Sequence, residues 1–176
     1  MAWSRTAGAI LLAAALGLPG HPRAAAREYE LKAEFLERFT RFIEWPKPPA
    51  PRFRLCLLGG DPFEGYLDRM AADRRFKGAT IEVRRLSEPE GLADCELLFV
   101  AARGHGHLAT VVARTAGLPV LVVADTPGAA AEGALISFYE EGGKVRFEIN
   151  AAAARQSGLE FSPQLLRLGR VVGGAP

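Results

Sequence analysis

Leu31, Phe35, Leu36, Phe39, Phe42 and Ile43 recur three and four residues apart, the period of one helix face. Glu34 with Arg38 and Glu37 with Arg41 form i,i+4 pairs on the other side. The pattern predicts an amphipathic helix from about Tyr29 to Glu44. Trp45 closes it, Pro46 stops it, and Lys47-Pro48-Pro49-Ala50-Pro51 is a stiff connector that cannot continue a helix. A helix with this much aromatic surface on one face is expected to pack it into a core.

From Phe53 the period changes to short apolar runs punctuated by Gly, Pro and Asp, as in buried strands alternating with helices. Phe53–Leu58 reads as the first strand. Asp61-Pro62 reads as a cap and first helical position, opening a helix through Tyr66, Leu67 and Met70. Ile81–Leu86 alternates with charge and suits an exposed edge strand. Cys95–Ala101 and Pro119–Ala124 are nearly all apolar and suit interior strands, with a helix from about His107 to Thr115 between them. Asp125-Thr126-Pro127-Gly128 repeats the cap pattern. Two further strands, Ala134–Tyr139 and Lys144–Ile149, flank Glu140-Glu141-Gly142-Gly143, which has the glycines of a tight hairpin. Asn150 can cap a short helix over Ala151–Ser157 ended by Gly158, and Ser162-Pro163 can start a last one through Leu165, Leu166 and Leu168. The fold class expected is α/β, a mostly parallel sheet with an antiparallel hairpin at one end.

Composition narrows this further. With 176 residues, 49% hydrophobic and 24% charged, the chain can bury one core and is not disordered as a whole. Its 22 basic residues are scattered among 20 acidic ones, which gives solvated faces rather than a phosphate-tracking stripe, so no nucleic-acid partner is expected. The first 26 residues hold no acidic residue. Arg5 precedes an uncharged run from Ala7 to Leu18, Pro19-Gly20 breaks it, and Ala24-Ala25-Ala26 follows, the layout of a cleaved signal peptide. That run would span only about 18 Å as a helix, short of a bilayer core of about 30 Å. The expectation is export to the periplasm and a soluble single domain over residues 27–176, with 20 basic and 20 acidic residues. An oxidising compartment also reframes Cys56 and Cys95. In a 2-1-3 strand order their strands are neighbours, so they either bridge or lie as two buried thiols.

Candidate chemistry is sparse. Gly59-Gly60-Asp61-Pro62 stands between a strand and a helix, where amides can hold an anion, but it lacks the ending of a P-loop and the spacing of a dinucleotide fingerprint. With Asp125 it marks strand ends that meet on one side of a parallel sheet, where such folds hold small molecules; Gly59, Gly60, Asp61 and Asp125 are the candidate ligand residues. His105 and His107 have no Cys or Glu at ligand spacing, so neither a metal nor a cofactor is expected. No G-x-S-x-G elbow exists, and Ser87, Ser137 and Ser157 lie far in sequence from any His, so the chain is not expected to be an enzyme.

Three stretches read together resemble the YfiR family. They are Leu31–Pro46, Leu55-Cys56-Leu57-Leu58-Gly59 with Asp61-Pro62-Phe63, and Val145–Asn150 running on to Gln164–Leu168. Leu97–Val100 and Pro119–Asp125 fall between them in the expected order, so the likeness covers nearly all of the chain after the leader. The resemblance implies a three-layer α/β sandwich and a periplasmic regulator that inhibits an inner-membrane diguanylate cyclase, or another membrane sensor protein, by binding its periplasmic domain. An outer-membrane lipoprotein relieves that inhibition, and cyclic di-GMP, with biofilm formation, is the output. Family members carry a cysteine pair in these two strands, which implies a Cys56–Cys95 disulfide. The apolar residues near the C-terminal end, Leu165, Leu166, Leu168, Val171 and Val172, are the candidate partner surface, and self-association into a homodimer through it is a further expectation. A periplasmic small-molecule-sensing module serving a sensor kinase or transport system is the alternative.

Overall fold

The computed structural model describes residues 22–47 and 51–173, so Arg5 and the apolar run Ala7–Leu18 lie outside the described residues. Helix α1 (Pro22–Phe42) begins earlier than the apolar period predicts. Proline at a first helical position has no donor to lose, and Ala24–Ala26 are strong helix formers. The cleavage expected ahead of Arg27 therefore falls just over one turn inside α1. The helix also ends sooner, because Ile43–Glu44 becomes strand β1 and pairs elsewhere.

The rest of the chain runs β2 (Arg52–Leu58), α2 (Tyr66–Asp73), β3 (Arg75–Phe76), β4 (Ala79–Leu86), β5 (Leu97–Val100), α3 (Leu108–Thr115) and β6 (Leu121–Ala124). It continues as β7 (Ile136–Glu141), β8 (Lys144–Asn150), α4 (Ala151–Gln156), β9 (Glu160–Phe161), α5 (Pro163–Leu168) and β10 (Arg170–Val172). Eight strands form one sheet in the order β10-β8-β7-β6-β5-β2-β4-β3, while β1 and β9 make a separate antiparallel pair. All neighbours in the large sheet are parallel except β3–β4 and β7–β8. From β2 the chain crosses to β4 on one side and later builds β5 and β6 on the other. Right-handed crossovers therefore put α2 and α3 on opposite faces, the two outer layers of the sandwich.

The α1 stripe turns to the core from Phe35 onward, while Leu31, expected with it, is exposed because it lies beyond the aromatic cluster. Phe39 lies 5.9 Å from the Phe138 ring and 5.0 Å from that of Phe147, and Phe35 lies 5.9 and 5.7 Å from the same rings. Burying a ring of this size stabilises by roughly 1.5–3 kcal/mol. Every residue of β5 and β6 is buried, as expected of central parallel strands covered on both faces. At the far end of α1, Trp45 meets Phe53 edge-on at 5.4 Å. Glu34 joins α1 to α2 by accepting from Tyr66 and from both terminal nitrogens of Arg74, each at 2.9 Å.

Some expectations are corrected. Asp61-Pro62 does not open α2: the Asp61 carboxylate accepts the Phe63 N–H at 2.9 Å, a turn follows, and the helix starts after Gly65 in the left-handed region at φ +76°. Asp125-Thr126-Pro127-Gly128 opens no helix either but a run of turns to Gly133, because the Asp125 carboxylate is engaged by side chains of α1. Ile81–Leu86 is an edge as expected, since β3 pairs only with Thr80 and Ala79, across a Lys77-Gly78 turn with φ +50° and +80°. The β7–β8 hairpin is near one end of the sheet but not last, because β10 adds outside it, parallel to Glu148–Asn150.

Candidate functional site

Gly59, Gly60 and Asp61 follow the carboxyl end of β2 and line one cleft of about 360 Å³ with Tyr29, Ala102 and Arg103; Ala25 and Ala26 of α1 form part of its wall. The glycines serve a close approach. A Cβ at Gly59, where φ is +85°, would lie 2.3 Å from the Gly104 nitrogen, and one at Gly104 would lie 2.8 Å from the Leu58 carbonyl oxygen. The loops after β2 and β5 therefore touch backbone to backbone. Asp61 faces Arg85, which donates to it at 2.6 Å, so its charge is answered from β4.

Asp125 stands apart from that cleft, in a neighbouring hollow of about 220 Å³ with Lys32 and Phe138. It is 8% exposed, accepts the Tyr29 hydroxyl at 2.8 Å, and accepts Lys32 Nζ at 2.5 Å. Lys32 is 6% exposed, also pairs with Glu28, and lies 4.6 Å from the Tyr29 ring centre. Burial first, then the hydrogen bond to Asp125 and its charge, push the Tyr29 hydroxyl far above the usual tyrosine range. This cluster ties the amino-terminal half of α1 to the carboxyl end of the sheet. Lys32 and Tyr29 are the site residues that sequence reasoning missed. The signal was present for Lys32, which precedes Phe35 and Leu36 by three and four positions on the buried face.

The candidate partner residues divide. Leu165 is 2% exposed and belongs to the core, Leu166 and Val172 are half-buried, and Leu168 and Val171 are exposed at 67% and 45%. Leu165 faces inward because α5 lies against α1 and turns that side to the core. Elsewhere, Ser137 is buried and donates to Glu148 at 3.0 Å, while Ser157 donates to the Ala154 carbonyl at 2.7 Å. Among the described residues no three His, Cys, Asp or Glu gather as a metal site. Nor is any helix among them long and apolar enough to cross a membrane.

The family model described as YfiR/HmsC-like matches residues 29–170. The chain belongs to the YfiR/HmsC-like family. The YfiR/HmsC-like role is regulatory rather than catalytic, periplasmic, and directed at cyclic di-GMP signalling through membrane proteins. Among curated proteins, none matches. Among solved structures, an ABC domain in complex with L-Trp from Streptococcus pneumonia is similar at a TM-score of 0.54 and 12% identity, over 82% of this chain and 62% of that one. A conserved domain protein from Vibrio cholerae O1 biovar eltor is similar at a TM-score of 0.50 and 12% identity, over 81% and 59%. The chain thus spans about three fifths of the length of each, and the likeness is one of fold. In this YfiR/HmsC-like chain Cys56 and Cys95 are bridged, with Cα atoms 6.0 Å apart, joining β2 to the turn just ahead of β5, which begins at Leu97 and not at Cys95 as expected.

Proposed function

We propose that residues 1–26 are a signal peptide, that residues 27–176 form a single periplasmic domain, and that this domain binds and inhibits a membrane signalling protein. The partner in this reading is the periplasmic sensor domain of an inner-membrane diguanylate cyclase, with an outer-membrane lipoprotein as the protein that relieves inhibition. The observation that carries it is the family match over residues 29–170. The exposed apolar side chains Leu168 and Val171, with the half-buried Leu166 and Val172, supply the contact surface; Leu165 does not. Crosslinking an epitope-tagged chain in intact cells tests it. A diguanylate cyclase is expected among the crosslinked inner-membrane proteins, and Leu168→Glu is expected to abolish that crosslink while leaving the exported protein folded. A folded, exported chain that crosslinks to no signalling protein overturns the reading.

The sensing alternative rests on one observation, the 360 Å³ cleft at the carboxyl ends of β2 and β5. Cleavage ahead of Arg27 would remove Ala25 and Ala26 from its wall and widen it. Saturable binding of a small molecule to the mature protein, lost in Arg103→Ala, would support that reading.

A further inference from the structure

The exposed large hydrophobic side chains among the described residues, Leu31 (45%), Leu168 (67%) and Val171 (45%), all border one edge of the sheet. Val171 is on β10, and Leu168 precedes Gly169, where a Cβ would strike the Phe147 ring of β8. Leu31 lines a groove of about 500 Å³ between α1 and the start of β8, with Val145 beside it. On its outer side β8 is paired with β10 only over Glu148–Asn150, so Lys144–Phe147 presents a strand edge with no partner among the described residues. An open edge is a template for another strand.

Charge says what kind of strand fits. Arg27, Lys144 and Arg146 rim the groove, and none forms an ion pair among the described residues. Glu28 is engaged by Lys32, which leaves Glu140 in the groove and Glu141, across from Lys144 on β7, as the unpaired carboxylates beside three cations. On the opposite sheet edge Arg52 pairs with Glu82 and Arg85 with Asp61 and Asp68, while Arg75 and Arg84 form no ion pair among the described residues and line no such apolar groove. We propose that the edge Lys144–Phe147 and the Leu31 groove receive an extended segment of the partner protein as an added β-strand, one that alternates apolar residues with carboxylates. Backbone pairing would supply register, the apolar residues would cover Leu31 and Val145, and the carboxylates would answer the rim. This rests on the regulator reading for the partner's identity, though not for the surface itself.

The probe is a synthetic peptide of alternating glutamate and valine, added to the purified mature protein. Saturable binding is expected, with slowed amide exchange at Lys144–Phe147. Affinity should fall at least about tenfold in Lys144→Glu/Arg146→Glu, whose side chains are exposed, and stay unchanged in Arg75→Glu on the opposite edge. No binding, protection elsewhere, or equal binding of a lysine–valine peptide overturns the proposal. So does protection that grows with protein concentration alone, which means a second copy occupies the edge. The two readings separate in cells. If deletion raises cyclic di-GMP and the double variant restores it fully, the edge proposal fails and the regulator reading stands; peptide binding with a silent deletion gives the reverse.

Discussion

Asp125 and Lys32 show how a single buried charge is made tolerable. Each is nearly out of water, and each answers the other, with Tyr29 and Glu28 completing the set. Removing one partner strands the other, so Lys32→Met is expected to cost about 3–5 kcal/mol in urea unfolding, and Lys32→Met/Asp125→Leu less than the sum of the two single changes. Tyr29 adds a pH dependence. Its hydroxyl proton is held more tightly in the folded state than in the unfolded chain, so the stability it supplies is complete below the ordinary value of 10.0 and is lost as pH rises above it. Tyr29→Phe should flatten the alkaline fall in unfolding midpoint relative to wild type; an unchanged slope contradicts the assignment. The place of Lys32 on the buried face is readable from its spacing to Phe35 and Leu36. Its pairing with Asp125, 93 positions away, depends on how α1 lies across the sheet and has no local signal.

At the scale of elements, caps behave according to what else their side chains touch. Asn150 accepts the Ala153 N–H at 2.9 Å and caps α4, and Ser162 accepts the Leu165 N–H at 3.2 Å and caps α5, both as their sequence context predicts. The same logic fails at Asp61 and Asp125, because their carboxylates are drawn to other partners. Asn150 also donates to the Ala130 carbonyl at 2.7 Å, so Asn150→Ala is expected to cost about 2–3 kcal/mol against about 1 kcal/mol for Ser162→Ala, read from denaturation midpoints. Gly104→Ala should destabilise by about 1–3 kcal/mol or more, since its Cβ would press on the backbone after β2. The central strands β5 and β6 are legible from continuous apolar runs. The two-residue β1, β3 and β9 and the three-residue β10 are not, because pieces so short have no period to read.

For the whole molecule, the parallel sheet follows from the order of elements, which brings Cys56 and Cys95 near one another; that they bridge is what the family resemblance implies, and the character of the sheet edges has no signal in that order. The Cys56–Cys95 bridge closes a separation of 39 residues, worth about 4 kcal/mol in the chain-entropy model. Reduced protein should unfold at a correspondingly lower denaturant concentration, and an equal midpoint would remove the bridge from the stability account. The apolar surface at the β8–β10 edge, together with family membership, supports a protein that acts by contact with another protein. The most direct test of that reading is the cyclic di-GMP level of cells lacking the gene, complemented with wild-type chain or with Leu168→Glu. Deletion is expected to raise the level, and the wild type to restore it where the exported, folded variant does not; a level unchanged by deletion rules out inhibition of a cyclase by this protein.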